Sequence, residues 1–569
     1  MTGRAETRVP THYDVLVVGS GFAGLWAAIS AVDSGAETVG IIDKGAIAMS
    51  SQSKMSAGAT VYCLPGDDLD VWVEEYAEAQ SGLSRRDFVR EILASSYDRL
   101  RRLEEWGVEY ERIPGATEAT PPAERYLRLP SRGFKNVKMM VRPRWRKRTG
   151  GSAVIAAMRQ QVIRRRVQRI PHTLVTALLR DDGRVTGVVA VDRRSAEPMA
   201  IGASAVVLAA SDCSFRGNYA CADSVTGDAF RLAYDAGVRL SNMEFLCVNT
   251  GSPKFGFEGT GIALRYGGKL VDKDGRQFVH HYHPEGDLAE VSVLVQAMAR
   301  EAGKGNGPPF FLDLSGGRGS FLEVALDRMG GFMPINIARL KECGTDIFDE
   351  PQEWVPAVQT LRGGVRTDTR CESDLSGLFA AGLSQAVDPC LFNGWSSMRA
   401  MWSGERAGKS AAEFAAIAGR PRSHEPPRQS GNPDHSEKFA TATAPLGRKG
   451  APADEILEKL HETIFPWNVS ILKSEKSLGD ALSSVESIRD EALCEIAAAD
   501  PHELAKAHET ANMISAAEMF LRSSLARTES RTDHFREDFP ETDNVNWLKW
   551  INLRRGEKGA MELDTETVP

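Results

Sequence analysis

Apolar and polar positions fall into clear periods from the first folded stretch of the chain. Val15 to Val18 is an unbroken apolar run, the pattern of a strand buried on both faces. Leu25 to Ser34 reads as a helix, and Val39 to Ile42 as a second strand closed by Asp43. Residues 84–108 and 151–168 read as amphipathic helices. Leu174–Leu179 and Val185–Val191 flank Asp181-Asp182-Gly183, a hairpin turn signal, and Ala205–Ala210 is a further apolar strand. Thr226-Gly227-Asp228 opens a helix running towards Gly237. From Leu240 to about Cys343 strands, glycines and short helices mix around the strand Pro309–Leu314, which predicts an inserted domain. The apolar strand Gly377–Gly382 brings the chain back, and a helix follows from about Gly394 to Ala418. Residues 419–452, rich in Pro, Ser, Gly, Lys and Arg, read as an exposed linker. Helices resume at Ala453. Within 503–527, Leu504, Ala511, Ile514, Ala517, Leu521 and Leu525 form one buried stripe. The polar tail from Gly556 is expected to fray.

The 569 residues, 26% of them charged with a net charge of −8, leave room for several globular domains. A mildly acidic chain is not a general nucleic-acid binder. No apolar run reaches the roughly 18 residues of a membrane span, and Met1–Pro10 lacks the apolar core of a secretion signal. Cys63, Cys213, Cys221, Cys247, Cys343, Cys371, Cys390 and Cys494 form no CxxC pair. They read as reduced, cytoplasmic thiols, with no metal or iron–sulfur site in this chain. Basic residues gather in Lys135–Arg148 and Arg164–Arg166. Such a cluster reads first as a solvated face, and second as a site for phosphate or an acidic partner.

The sharpest chemical signal is Gly19-x-Gly21-x-x-Gly24, set directly between the first strand and its helix. The first Gly makes the tight turn, the second lets the backbone approach a pyrophosphate, and the third packs helix against strand. The amides of the helix N-terminus favour a phosphate anion. Asp43, about 20 residues on, suits a ribose hydroxyl, so the unit reads as an adenine dinucleotide site for NAD or FAD. The loop Met49–Ala59, small and hydroxylic, reads equally as a cofactor-facing loop and as a surface loop.

The order of these segments, from Tyr13 to about Trp550, resembles the flavoprotein subunit family of succinate dehydrogenase and fumarate reductase. L-aspartate oxidase and the flavoprotein subunit of adenylylsulfate reductase are relatives. Val206–Ala210, Thr226-Gly227-Asp228, Val271–Phe278, Phe311–Leu314 and Gly377–Gly382 all match. The most telling match is Ala526–Pro540, followed by Asn544–Lys549. It resembles the family signature Arg-x-Glu-Ser-Arg-Gly-x-His-x-Arg-x-Asp-x-Pro and the Trp after it; the alternative for this stretch is a solvated helix end. The resemblance implies an α/β fold: a Rossmann-like FAD-binding domain over 1–239 and 351–418, and an inserted α+β capping domain over 240–350. Beyond the linker 419–452 it implies a C-terminal helical domain over 453–550 and a flexible tail over 551–569. It implies FAD at Gly19, Gly21, Phe22, Ala23, Gly24, Asp43 and Lys44, at the loop with Ser50, Ser51, Ser53 and Gly58, and at Val175, Ala210, Asp228, Gly382, Ser396 and Ser397.

The sequence also leaves the family pattern. Gln52 stands where many members carry a His linked to FAD, and an amide is no nucleophile for that bond, so FAD is expected to be non-covalent. The family's dicarboxylate-binding His, Thr-Glu pair, proton-donating Arg, second Arg, second His and last Arg align with Asn249, Thr260-Gly261, Val291, Gln296, Gln359 and Leu391. Each lost charged hydrogen bond typically costs about 1.5–3 kcal/mol, which argues against succinate, fumarate or aspartate as substrate. Arg362, at the family's Met, joins Gln359, Asn249, Arg265 and Tyr266 as substrate-side candidates. His280, His281, Tyr282 and His283 read as surface groups before acid–base residues, and Cys390 as an inert thiol before a flavin neighbour. The resulting expectation is an FAD-dependent oxidoreductase passing electrons to a ferredoxin-like iron–sulfur subunit. The alternatives are a stand-alone flavoprotein oxidase or dehydrogenase, and an FAD-binding subunit without catalysis.

Overall fold

The structure is a computed structural model that describes residues 12–568 apart from 132–133, 220–222, 255–259, 321, 324–325, 327–332, 387–388, 390–393, 420–432 and 558. Cys221, Cys390 and Leu391 lie outside the described residues. Strand β1 (His12–Val18) leads through a glycine turn into helix α1 (Phe22–Asp33), strand β2 (Val39–Ile42) and the short helix α2 (Gln52–Met55). Two helices, α3 (Arg86–Ala94) and α4 (Ser96–Glu105), stand where one was expected, with the break at Ser95. Helix α5 (Gly151–Arg164) and strand β3 (Gln168–Ile170) precede the hairpin β4 (Thr173–Asp181) and β5 (Arg184–Asp192), and the long strand β6 (Pro198–Leu208). Asp182 and Gly183 both take positive φ at the hairpin tip, 47° and 70°, as a two-residue primed turn requires.

Helix α6 (Asp228–Asp235) and strands β7 (Leu240–Ser241) and β8 (Leu246–Gly251) follow. Next come α7 (Thr260–Arg265), β9 (Lys269–Val271), α8 (Val291–Gly303) and β10 (Phe310–Asp313). Strands β11 (Gln352–Leu361), β12 (Gly364–Val365) and β13 (Leu378–Ala380) lead to helix α9 (Trp395–Ala418). Helices α10 (Pro433–Thr443), α11 (Ala453–Ile464), α12 (Glu475–Glu495) and α13 (Pro501–Ala526) precede a last hairpin, β14 (Lys549–Arg555) and β15 (Met561–Thr567).

The main sheet runs β3-β2-β1-β6-β5-β4. Strands β3, β2, β1 and β6 are parallel, and the hairpin joins antiparallel through the first half of β6. The second half of β6 pairs in parallel with β13, so the chain returns after the insertion to the same sheet. The apolar run in β1 is continuous because both faces are covered. Val15 and Val17 pack with α1 and α9, and Leu16 and Val18 belong to the core that extends through α6 to the C-terminal helices. A second sheet, β8-β11-β10-β9, is wholly antiparallel and forms the inserted domain. Because β11 belongs to it, that sheet reaches Leu361, beyond the boundary expected at 350.

Two expectations change. The stretch read as a linker contains α10, whose Phe439 and Ala442 pack on Leu179, Val189 and Val191 of the hairpin. The tail read as frayed is β15, an edge strand paired with β14 from Thr567 to Met561. Its Met561 and Leu563 touch the core while Glu562 and Asp564 face outward; the high charge hid this two-residue alternation. The arginine-rich stretch after α13 is also no solvated helix end. Arg527 is fully buried, and its guanidinium donates to Glu244 at 2.8 Å, to Glu529 at 2.7 Å and to the Lys549 carbonyl at 2.7 Å. Burial pushes the Glu244 carboxyl up and the Arg527 charge draws it down, for a net rise.

Helices α1 and α9 approach with no side chain between them at two points. A Cβ on Gly404 would lie 2.3 Å from the Ala23 carbonyl oxygen, and one on Gly408 2.2 Å from that of Ala27. Gly408→Val is therefore expected to destabilise the fold by about 3 kcal/mol, the upper end of overpacking penalties. A wild-type denaturation midpoint in this variant would contradict the contact.

Candidate functional site

A cavity of about 820 Å³ runs from the glycine turn to the inserted domain, within the range of roughly 300–1,000 Å³ usual for ligand pockets. One end is the turn between β1 and α1. Gly19 is held against the end of β6: a Cβ there would lie 2.2 Å from the Ala209 carbonyl oxygen. Gly21, Phe22 and Ala23 line the cavity with the first turn of α1, whose amides and dipole suit a phosphate. Asp43 stands beside them, its carboxylate accepting from the Ser20 amide at 2.9 Å and the Gly45 amide at 2.7 Å. Ser50, Ser51, Gln52, Ser53 and Gly58 form the adjoining wall, and the Phe22 amide donates to Ser53 Oγ at 3.2 Å. Val175, Ala210 and Gly382 complete it. At the other side α9 begins, with Gly394, Ser396 and Ser397 on the cavity and Ser396 Oγ buried without a protein partner. Two helix N-termini, a glycine cradle and an orphaned hydroxyl fit a long ligand with a diphosphate and a second polar, hydrogen-bonding end, as FAD is.

Three of the expected cofactor positions have close partners within the chain. Gly24 is not on the cavity; a Cβ there would sit 1.9 Å from the Gly19 carbonyl oxygen, so this position closes the turn. Lys44 and Asp228 line the wall, but they serve each other. The Lys44 ammonium donates to Thr226 Oγ1 at 2.7 Å, Asp228 Oδ2 at 2.8 Å and Glu509 Oε1 at 2.8 Å. Those are the three donors an ammonium has. Asp228 also accepts from Asn512 Nδ2 at 2.7 Å. Burial pushes the Asp228 carboxyl up, yet the Lys44 charge together with the hydrogen bonds from Lys44, Asn512 and Thr226 holds it below its ordinary value. The cluster ties α6 and the strand end after β2 to α13.

At the far end, Asn249 of β8 and Gln359 of β11 meet across paired strands. Asn249 Nδ2 donates to Gln359 Oε1 and to the Tyr219 hydroxyl, both at 3.2 Å, and the Cys247 thiol lies 3.7 Å from Gln359 Oε1. Thr260, Gly261, Val291 and Gln296 share the same wall. Arg362, just past β11, is 2% exposed and lines the cavity. Its charge acts on the carboxyls of Asp212 and Asp533. Asp212 accepts a short hydrogen bond from Thr360, and burial raises its carboxyl above the ordinary range.

Arg265 and Tyr266 are not on the cavity. Five residues separate Arg265 from Thr260, a rotation of roughly 140° about α7, so Arg265 is exposed, while Tyr266 packs against the core. His280 and His281 are exposed, whereas Tyr282 and His283 are half-buried. Sequence reasoning passed over Asp212, Cys247, Glu290, Thr532 and Asp533, all on the cavity. The last two had a visible signal: Thr532 replaces the Gly of the signature Arg-x-Glu-Ser-Arg-Gly-x-His and still takes φ 51°.

Residues 14–387 match the family model described as FAD binding domain, and residues 458–569 the one described as fumarate reductase flavoprotein C-term. One component of the CoM/CoB fumarate reductase of Methanothermobacter marburgensis is 30% identical over 568 aligned residues, covering 95% of this chain and 97% of that protein. The L-aspartate oxidase of Streptomyces coelicolor is 26% identical, covering 98% and 94%. Among solved structures, E. coli quinol fumarate reductase superposes with a TM-score of 0.85 at 24% identity, covering 98% of this chain and 97% of that one. Adenylylsulfate reductase from Archaeoglobus fulgidus gives 0.77 at 19%, covering 98% and 96%. These two likenesses concern the fold. No helix among the described residues is long and apolar enough to cross a membrane.

Asp228, with its carboxyl held low in the fold, stabilises at neutral pH and loses that contribution as pH falls through the folded value. Lys44→Ala strands Asp228, while Glu509 keeps Arg216, and is expected to cost about 3–5 kcal/mol at neutral pH. The deficit should shrink toward about pH 4 as the stranded Asp228 carboxyl takes up a proton. Denaturation at the two pH values checks this; equal deficits at both would contradict it.

Proposed function

The chain belongs to the fumarate reductase and succinate dehydrogenase flavoprotein family and is an FAD-dependent oxidoreductase; from that premise we propose that it acts on a substrate with at most one anionic group, holds FAD non-covalently, and exchanges electrons with an iron–sulfur partner. The observation that carries the substrate reading is the charge of one wall. The described positions aligned with the family's dicarboxylate residues lie on the cavity as Asn249, Thr260, Gly261, Val291, Gln296 and Gln359. Beside them Arg362 lines the cavity, its charge acting on the carboxyls of Asp212 and Asp533, and Glu290 lines the same cavity. Elsewhere on the lining, Lys44 and Arg216 are engaged with Glu509, and Arg193 donates to the Lys44 carbonyl at 2.9 Å. A dianion would meet more carboxylate than guanidinium, whereas one anionic group can pair with Arg362.

When bound, FAD supplies two-electron hydride chemistry at its N5. Gly19, Gly21, Phe22 and Ala23 would hold the pyrophosphate by backbone amides, and Asp43 a ribose hydroxyl. Ser50, Ser51, Ser53, Gly58, Gly382, Ser396 and Ser397 would hold the isoalloxazine, with Val175 and Ala210 against the nucleotide. Asn249 and Gln359 fix each other's amides, so both present defined donors and acceptors to the substrate. Gln52 lines the cavity with an amide that reaches Ser214 Oγ at 3.5 Å.

The basic segment supports the partner reading. Arg146, Arg148 and Arg159 join Lys54 around a groove of about 280 Å³ next to the Ser50–Ser53 loop, with Trp145 and half-exposed Met49 and no acidic residue among its described lining. An acidic iron–sulfur protein suits that groove.

Acid precipitation is expected to release the flavin into the supernatant; a yellow pellet would refute non-covalent binding. Photoreduced protein mixed with fumarate should re-oxidise over 100-fold more slowly than a fumarate reductase, the effect of losing about 3 kcal/mol or more of charged contacts. Family-like rates would sink the substrate reading. Electron transfer to an acidic ferredoxin should fall steeply with salt and with Arg146→Glu plus Arg148→Glu; indifference to both would rule the groove out as the docking face.

A further inference from the structure

We propose that Asp533 is the catalytic residue that exchanges the substrate's proton, in place of the arginine the family uses. This rests on the reading of the cavity as a hydride-transfer site. The carboxyl sits on a tightly held turn. Arg531 and His534 bridge by paired backbone hydrogen bonds of 2.8 and 2.9 Å, leaving Thr532 and Asp533 as a two-residue tip. Both bridge residues are anchored beneath. Arg531 donates to Glu529 at 2.8 and 2.9 Å, and His534 Nε2 lies 3.2 Å from the Arg527 carbonyl oxygen. Thr532 keeps φ 51° although it is β-branched, a conformation that persists only where the surroundings impose it. The tip thus projects from a buried, ion-paired base, and both of its residues are on the cavity.

The residues around that carboxyl suit a proton-exchanging group. Arg362 faces it from the end of β11, Cys247 from β8, Glu290 from the N-cap of α8, and Lys473 from the segment before α12. Lys473 is itself fully buried, and its ammonium donates to the Asp533 carbonyl at 3.2 Å. Burial pushes the Asp533 carboxyl up to about 6, against the downward pull of Arg362, Lys473 and the Cys247 thiol. Burial also brings Lys473 down to about 8. A carboxyl poised near neutrality is the form suited to general acid–base work.

The chemistry of the cavity leaves this role open. Val291, at the family's proton donor, cannot titrate, and Asn249 and Gln359 are amides. The same cavity that lacks the donor carries a carboxyl where the family signature has an unspecified residue. In the reducing direction, bound FAD would supply a hydride, two electrons with one proton, to one carbon of a polarised double bond. The Asp533 O–H bond breaks, its proton goes to the adjacent carbon, and the carboxylate left beside Arg362 regains a proton from water. Dehydrogenation is the reverse. Arg362 couples the steps: a substrate anion that occupies the guanidinium weakens its hold on Asp533 and raises the carboxyl's proton affinity.

The test uses the full-length FAD-loaded protein, Asp533→Asn and Asp533→Glu, with crotonate, a mono-anionic alkene, as probe. Infrared difference spectra between about pH 5 and pH 8 should show one carboxylic-acid carbonyl band that titrates near 6 in the wild type. The band should be absent from Asp533→Asn and should move to higher pH with crotonate. In stopped flow, re-oxidation of the reduced wild type by crotonate should slow as pH rises through that midpoint. Asp533→Asn should be at least about 100-fold slower, and Asp533→Glu should restore the pH-dependent limb. The proposal is overturned if the band is missing from the wild type, persists in Asp533→Asn, or if Asp533→Asn matches the wild-type rate. A band that behaves as stated, in a protein that crotonate does not re-oxidise, upholds the titrating carboxyl and contradicts the hydride-transfer reading.

Discussion

The cavity depends on a backbone contact between two helices nearly four hundred residues apart in sequence. Gly404 and Gly408 of α9 rest on the carbonyls of Ala23 and Ala27 in α1. No Cβ fits at either point, so the helices are locked in angle and offset. Each helix begins on the cavity, α1 behind the glycine turn and α9 at Gly394. Their N-terminal ends therefore face one ligand from two sides. The parallel pairing of β13 with β6 delivers α9 to this position after the inserted domain. The contact thus fixes where a dinucleotide's phosphates and its far polar edge can sit.

Buried charge performs a second task, joining the C-terminal helices to that frame. Lys44, Asp228 and Glu509 close on one another, as do Glu244, Arg527, Glu529 and Arg531. Removing one partner from such a set leaves a stranded charge, which is why these groups tolerate change poorly. Both sets lie beside the cavity, and the second carries the turn with Thr532 and Asp533. The scaffold of the site is thus built of fully paired charges. The wall near Arg362 differs: it mixes one guanidinium with carboxyls and amides.

Much of this was legible in the residues. The strand, glycine turn, helix and Asp43 announced the nucleotide end, because backbone geometry demands those residue types at that spacing. The hairpin at Asp182-Gly183 and the stripe along α13 were equally direct. What escaped was long-range. Lys44 read as a cofactor contact because nothing in the sequence reveals that Glu509 supplies its partner. Arg265 and Tyr266 read as substrate-side until the rotation of α7 carried them away from the wall. Strand β15 hid behind its charged outer face, and α10 behind a composition typical of linkers. Asp533 sat inside the most recognisable signature of the chain, yet only its turn geometry places it on the cavity.

The central claim is that the substrate end accepts one anionic group and not two. Crotonate and fumarate separate the cases, since they differ by a methyl group against a second carboxylate. Calorimetric titration of both into the oxidised, FAD-loaded protein tests it most directly. Crotonate should bind at least as tightly as fumarate and lose that affinity in Arg362→Gln. Fumarate binding tenfold or more tighter than crotonate, about 1.4 kcal/mol, would contradict the claim.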